Sequence, residues 1–333
     1  MILIITNKDD VHPTPVIKVL TKRNIPVFRL NTECLLTDYD FSWWNSSCES
    51  RFVITNRQTG LRLDSIDLTT IWDRRPEAPK ELPIKSSENI NKHNLDEASG
   101  FLRFLRSYIS NVPSLGSINY DRYASSKMEQ LAKAISVGLI VPDTCFSNCQ
   151  SDILKMAENH QELVLKSIES DSFFDVDSDK EYVFYSQKVS YEDIANAPQE
   201  AFTQTVTYVQ EYIPKAFELR VTVVAKKVFA CKIESQHLAD DEGKIDWRQG
   251  YEHGLRYEPY ELLDDIAQKC IKFLKKMRLN FGAFDFIVTP SGEYVFLECN
   301  PNGQWLWIEM ETGLKISEAI ADALATGEGL TVY

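Results

Sequence analysis

The sequence predicts an α/β protein that becomes α+β in its C-terminal part, and three observations predict it. Ile2 to Ile5, a helical pattern over about Pro15 to Arg23, and Val27 to Leu30 make a βαβ opening. Farther on, Leu219 to Val224 and Val228 to Glu234 are apolar, β-branched runs close enough to pair antiparallel. Phe284 to Val288 and Tyr294 to Glu298 flank Ser291-Gly292, a two-residue hairpin loop in which glycine accepts positive φ.

The remaining elements follow in order. Phe52 to Thr55 and Leu61 to Leu63 read as paired strands around a turn at Gln58-Thr59-Gly60, and Leu68 to Trp72 as another strand. Phe101, Leu102, Leu105 and Ile109 recur at helical spacing, so residues 1–110 form one α/β unit. A second unit, residues 111–205, opens near Asn111-Val-Pro113. Its helix carries Met128, Leu131, Ala132 and Ile135 on one face and ends by Gly138 and Pro142. Leu163 to Lys166 is a strand. Ser167 to Lys180 is polar and acidic without Gly or Pro, and Tyr182 to Lys188 is a strand, so a protruding hairpin is expected. Ser190 to Ala197 is a short helix stopped before Pro198. The third unit, residues 206–333, is mostly antiparallel and begins with a strand over Thr205 to Tyr212. It carries a polar, mobile loop over about Gln236 to Gly254 and a helix marked by Leu262, Leu263, Ile266, Ile271 and Leu274. A last helix covers Ile316 to Leu324.

Composition excludes several classes. A formal charge of −13 disfavours nucleic acid and anionic membrane as partners. No apolar run reaches the roughly eighteen residues that span a bilayer. The start, Met1-Ile-Leu-Ile-Ile-Thr6, lacks a positive leading region and a cleavage site, so it reads as a strand and the protein as cytoplasmic. Seven scattered cysteines fit reduced thiols better than a disulfide framework, and Cys145 and Cys149 have no second ligand pair nearby.

The residues that carry chemistry come in three sets. In the two-residue hairpin register Asp285 lies opposite Glu298, and Asn300 shares a strand face with Glu298. Opposed carboxylates repel, so the arrangement suits a divalent cation, and three oxygen donors suit Mg²⁺ bridging phosphates. The apolar flanks Phe284, Phe286, Val295, Leu297 and Cys299 argue against a merely solvated hairpin. The second set is cationic: Lys127 at a helix start, Lys166 at a strand end, and Arg220 two residues after Glu218. A polyphosphate needs cations from several directions, although any one of these alone reads as an ordinary surface charge. The third is Gln210-Glu211-Tyr212-Ile213, a strand end whose backbone could read an adenine edge while Glu211 takes the exocyclic amine; taken by itself, a plain buried strand end is the favoured reading.

In combination, residues 127–300 resemble the ATP-grasp superfamily, in the family's order. The resemblance implies ATP and Mg²⁺ as cofactors. It implies Lys127 and Lys166 as phosphate-binding lysines, Gln210 to Ile213 as the adenine hinge, and Arg220 as a phosphate contact. Asp285, Glu298 and Asn300 match the metal ligands. One departure is that Ser167 to Asp179 lacks the glycines often found over the phosphates. With Trp72-Asp-Arg74-Arg75-Pro76, Glu218-Leu-Arg220, Asp246-Trp-Arg248 and Glu298-Cys-Asn300-Pro-Asn-Gly-Gln304-Trp, the chain looks like the microviridin-type peptide ligases, the graspetide synthetases.

That resemblance implies a ribosomally made precursor, leader plus core, as the partner, and a homodimer is left open. A core Asp or Glu side chain is activated as an acyl phosphate and attacked by a core Thr, Ser or Lys, closing an ester or amide ring. Arg248 is the candidate for holding the acceptor carboxylate or γ-phosphate, and a solvated loop arginine is the bland alternative. Glu218 either orients Arg220 or assists the nucleophile. The resemblance also implies that peptide is met by Arg74 and Arg75 and by the hairpin–helix region. There Phe173, Phe174, Val183, Tyr185 and Ile194 line a groove, and Asp193 and Asn196 share a helix face. The bland alternative is internal packing of the apolar residues, with Asp193 a helix-start charge. Two rival functions remain: a ligase adding free amino acids to a protein terminus, and a non-catalytic nucleotide-binding scaffold.

Overall fold

The computed structural model describes residues 1–116, 121–169, 172–175, 177–238 and 241–333. The side chains of residues 121, 122, 173, 241, 242 and 251–253 lie outside that description.

The βαβ opening is present. β1 (Ile2–Thr6) pairs in parallel with β2 (Val27–Asn31), joined by the helix Pro13–Lys22. A separate antiparallel sheet follows, β3 (Tyr39–Asn45), β4 (Ser50–Asn56) and β5 (Arg62–Asp64). β3 was not foreseen, because the exposed Trp43 and Trp44 break the alternation that marks a half-buried strand. β6 (Thr70–Asp73) and β7 (Ser114–Leu115) complete a parallel sheet of order β2-β1-β6-β7.

Every residue of β1 is buried, because both faces of this sheet are covered. Ile2 and Ile4 pack with Val16 and Leu20 on one side. Leu3 and Ile5 pack with Ala98, Leu102 and Leu105 of the helix Glu88–Tyr108 on the other.

A central antiparallel sheet comprises β8 (Thr144–Ser147), β9 (Leu163–Lys166), β12 (Gln187–Val189) and β13 (Thr207–Glu211), in the order β12-β9-β13-β8. Between β9 and β12 the expected hairpin appears as a separate two-stranded sheet, β10 (Ser172–Asp175) and β11 (Lys180–Val183). β13 pairs with β9 and β8 and not with the C-terminal strands expected for it. The reason is packing: Val209 joins Ile153, Leu163, Ile194 and Phe202 in one buried cluster under the helices Gln150–Asn159 and Tyr191–Asn196.

The C-terminal sheet runs β16-β15-β14-β17-β18, with β14 (Phe217–Val224), β15 (Lys227–Glu234), β16 (Arg256–Tyr260), β17 (Phe281–Val288) and β18 (Tyr294–Asn300). One face packs on the helix Asp264–Lys276 through Ile266, Cys270, Phe273 and Leu274. The other face meets Ile316, Ile320 and Leu324 of the helix Ile316–Thr326, which also touches Val16 and Leu20 of the N-terminal helix. Thr70 Oγ1 donates to Leu324 O at 2.6 Å across the same contact. The N-terminal parallel sheet and the C-terminal sheet therefore share a core. Among the described residues no helix is long and apolar enough to cross a membrane.

Phe273 is wholly buried, with its ring 5.4 Å from Phe284 and 5.3 Å from Phe296. Replacing it by alanine is expected to lower unfolding stability by about 3–5 kcal/mol, read as a fall in the urea midpoint at constant slope. A loss under about 1 kcal/mol would mean that this layer does not hold the sheet.

Candidate active site

A cleft of about 370 Å³ opens where the central and C-terminal sheets face one another. Gln210, Glu211, Tyr212 and Ile213 line it from the central sheet, and Asp285, Glu298, Arg220 and Asn300 from the C-terminal sheet. Lys127, Lys166, Arg248 and Arg75 line it too.

Asp285 and Glu298 are register partners, as the sequence suggested, but the route to that pairing differs. The turn is longer than two residues: Val288 pairs with Tyr294, and Thr289 N–H donates to Glu293 O at 3.0 Å. That register alone would misalign the carboxylates. A bulge between Asp285 and Phe286, with Leu297 as the extra residue, restores the opposition. Gln130, on the helix Lys127–Ser136, then pins the strand between the two outer ligand candidates. Its Oε1 accepts from Cys299 N–H at 2.8 Å, and its Nε2 donates to Cys299 O at 2.7 Å.

Each carboxylate has a cation. Arg220 Nη1 donates to both oxygens of Asp285, at 2.8 and 2.7 Å. Lys127 donates to Glu298. Burial works to raise the Glu298 carboxyl, but Lys127, Lys166 and Arg220 outweigh it and hold it down at about 2. For Asp285 burial wins over Arg220, and its carboxyl is raised. The pair is thus split, with Glu298 the firmly ionised member. Lys166 donates to Gln210 Oε1 at 2.8 Å. Gln210 in turn donates to Thr144 Oγ1 at 3.1 Å. Burial pushes the Lys166 amine down to about 8, helped by the Lys127 charge and opposed by Glu298.

The strand end Gln210 to Ile213 corrects one expectation. Side chains alternate along β13, so Gln210 faces Lys166 and Glu211 turns the other way. The Glu211 carboxylate accepts from Asp143 N–H at 3.3 Å and lies 3.6 Å from His160 Nδ1. It is therefore not placed to take an exocyclic amine. The Glu211 and Tyr212 amides donate to Asp143 O and Glu162 O, at 2.9 and 3.0 Å. Among the described residues the Ile213 N–H has no such acceptor.

Residues 124–324 match the RimK-like ATP-grasp domain, and residues 1–121 match the MvdD pre-ATP grasp domain. The chain belongs to the RimK-like ATP-grasp family. It is an ATP-grasp ligase, with ATP and Mg²⁺ as cofactors. No curated protein sequence matches it. Among solved structures it is similar to the macrocyclase MdnC of Microcystis aeruginosa MRC, bound with precursor peptide MdnA. The two are 29% identical, with 98% of this chain and 100% of that one covered and a TM-score of 0.83. It is also similar to an ATP-grasp ligase of Chryseobacterium gregarium, RiPP-associated and solved with ADP, a leader and a core peptide. That match is 25% identical and covers 100% of this chain and 99% of that one, with a TM-score of 0.89. Macrocyclase MdnB of Microcystis aeruginosa MRC is 27% identical over 98% and 99% of the chains, with a TM-score of 0.75.

The residues present fit the ATP-grasp cofactors. Two half-buried strand carboxylates and the Asn300 amide supply hard oxygen donors, the set Mg²⁺ takes beside phosphates. Lys127, Lys166 and Arg220 come from three separate elements of one cleft, as spread phosphate charge requires.

Several other expectations are corrected. Glu218 does not orient Arg220: it is buried, bonded to Lys215 at 2.5 Å and to Ser235 Oγ, and its carboxyl is raised by burial. Lys215, which sequence reasoning missed, is itself buried and donates to Ile245 O at 2.9 Å. A lysine just before a strand rarely signals burial; the clue was a glutamate inside the apolar run of β14. The loop expected to be mobile holds the helices Asp241–Ile245 and Trp247–His253. Arg248 there is bonded to Asp246 at 2.9 and 2.7 Å. Trp247 and Trp307, also missed, face the cleft with ring centroids 5.5 Å apart.

The peptide-facing set divides. Arg74 is wholly buried and donates to Asn302 O, so it does not meet peptide, whereas Arg75 is exposed and lines the cleft. Ile194 is buried under the central sheet and lines no groove. The Phe173 side chain lies outside the described residues. Phe174, Val183 and Tyr185 are exposed, as are Asp193 and Asn196. Asp193 Oδ2 accepts from Ser190 N–H and Ser190 Oγ, each at 2.8 Å, completing a capping box. The helix-start role is therefore real for Asp193.

The Lys166 value can be read directly. With ¹³C-labelled lysine, its side-chain resonance should titrate with a midpoint near 8 in the protein without nucleotide, and at Gln210→Ala the midpoint should move. A folded value below the unfolded 10.5 means the unfolded chain binds more protons between about 8 and 10.5. Stability from this group should therefore rise with pH through that window. A midpoint above 10 would contradict the burial.

Proposed function

We propose that this ligase is a peptide macrocyclase acting on a ribosomally made precursor. It activates a core Asp or Glu side chain as an acyl phosphate and passes it to a core Thr, Ser or Lys. The observation that carries the reading is full-length likeness, pre-ATP-grasp unit and hairpin included, to ligases solved with precursor peptides. A bare nucleotide-binding scaffold would not need the half-buried, cation-matched carboxylate pair.

In the proposed reaction a substrate carboxylate oxygen attacks the γ-phosphorus of ATP and ADP leaves. Bound Mg²⁺ would neutralise charge on the phosphate oxygens, held by Asp285, Glu298 and Asn300. Lys127, Lys166 and Arg220 hold the phosphates from their separate elements, and the hinge Gln210 to Ile213 takes the base. The acceptor oxygen or nitrogen then attacks the acyl carbon, phosphate leaves, and the acceptor proton is lost. One water is removed per ring overall. Arg248, half-buried beside the cleft, holds the reacting carboxylate or phosphate, and Arg75 supports the core at the same mouth. Glu218 and Lys215 brace the strand that carries Arg220. The exposed Phe174, Val183 and Tyr185, with Phe184 and Tyr191, form the surface for an apolar leader helix, beside Asp193 and Asn196.

Incubation with a Thr- and Glu-rich precursor, ATP and Mg²⁺ should yield ADP and a peptide lighter by one water per ring by mass spectrometry. A product heavier by a free amino acid would favour the terminal-adding ligase instead. Asp285→Asn or Glu298→Gln should abolish ADP release while thermal melting stays close to the parent. Near-normal turnover in either variant would remove the carboxylate pair from the chemistry.

Arg248→Ala should lower kcat by roughly 100-fold while changing ATP affinity less than about 3-fold, since its charge acts on the reacting group. Equal losses in both would assign it to ground-state nucleotide binding.

A further inference from the structure

We infer that Asp10, His12 and Arg74 are positioning residues that seat the loop 300–305 and, through it, the Asn300 amide. The inference rests on the proposed metal role of Asn300.

In open parallel sheets the carboxyl ends of the strands are where ligands collect. Here the chain just past β1 and β6 carries Asn7, Asp10, His12 and Arg74, each no more than 6% exposed. What covers them is the loop that follows β18. Trp305 is wholly buried, with its ring 5.4 Å from His12 and edge-on at 69°. Trp305 N–H donates to His12 Nε2 at 3.4 Å. Because Nε2 accepts, the proton belongs on Nδ1, which lies 3.0 Å from Asp10 Oδ1 and donates to it. Asp10 Oδ2 accepts from Thr6 Oγ1 at 2.8 Å and lies 3.6 Å from Arg74 Nε. Arg74 Nη1 closes the circuit by donating to Asn302 O. The loop is thus gripped at residues 302 and 305 from the N-terminal unit.

Its other side is equally confined. A Cβ added at Gly303 would lie 2.3 Å from Ala283 Cβ and 3.3 Å from Arg220 Nη2, so only glycine fits. Gln304 O accepts from Arg220 Nη2 at 3.4 Å. Asn302 N–H donates to Asn300 Oδ1 at 3.0 Å, so the backbone that Arg74 holds also aims the Asn300 amide.

A buried guanidinium is a costly way to stabilise a fold. Arg74 Nε and Nη2 make no hydrogen bond among the described residues, and the Asp10 contact is long. Burial also holds the Arg74 guanidinium down, to about 10. Such a group contributes placement more than stability, as outer-shell partners of metal ligands do.

The test uses the full chain with ATP and precursor, following ADP release against Mg²⁺ concentration. Arg74→Met and His12→Phe keep most of the packing volume but remove the grip on Asn302 O and on Trp305 N–H. Each should raise the Mg²⁺ half-saturation roughly 10-fold or more, with ADP affinity in EDTA unchanged. If Arg74→Met fails to fold, His12→Phe decides alone. A role confined to stability would lower the melting temperature and the active fraction while leaving the Mg²⁺ midpoint where it was, and that result overturns the inference. Asn300→Ala separates the two readings. If it shifts the midpoint and the network variants do not, only the positioning role falls. If it leaves the midpoint unchanged, the metal role of Asn300 falls and the inference falls with it.

Discussion

Two carboxylates facing each other across β17 and β18 are the constraint around which this molecule is built. Left alone in a sheet whose neighbours are Phe284, Phe286 and Phe296, they would repel and destabilise the pairing. The structure answers with two cations from different elements, Arg220 on the adjacent strand and Lys127 at the start of a helix from another layer. Gln130, one turn along that helix, satisfies both backbone groups of Cys299, so helix and strand cannot drift apart without leaving buried polar groups unmet.

The same constraint explains why the cleft needs every layer of the chain. The C-terminal sheet supplies the acids and Arg220. The central sheet supplies Lys166, held by Gln210 and Thr144 in a setting dry enough to depress its amine. The N-terminal parallel sheet lends Arg75 to the cleft just past β6, and it receives Trp305 and the backbone around Asn302. A site that neutralises phosphate charge from several directions cannot be assembled on one sheet, because side chains on one sheet face share one direction.

The region beyond β9 follows a different logic. Among the described residues β10 and β11 pair only with one another and leave Phe174, Val183, Phe184 and Tyr185 exposed. Apolar residues exposed together suit contact with another chain more than internal stability. The helix that follows is fastened by its own capping box and by Ile194 beneath it, which makes it a firm edge beside the hairpin.

The sequence by itself determined the elements that rest on local pattern. The βαβ opening, the β14–β15 pair, the β17–β18 hairpin and the order of the charged residues were all readable. They were readable because period, turn chemistry and spacing act over a few residues. It also determined that Asp285 and Glu298 would face each other, although the bulge at Leu297 and not the turn produced that register. Only the tertiary structure decided which charges are buried and what they touch. Arg74 and Arg75 are neighbours in sequence, yet one is sealed under the 300–305 loop and the other lines the cleft. β13 left its expected sheet because its apolar face met Ile153, Leu163 and Phe202, and Glu218 chose Lys215 over Arg220 because Asp285 already held the arginine. Such outcomes depend on competition between partners far apart in the chain, and that competition exists only once the layers have packed.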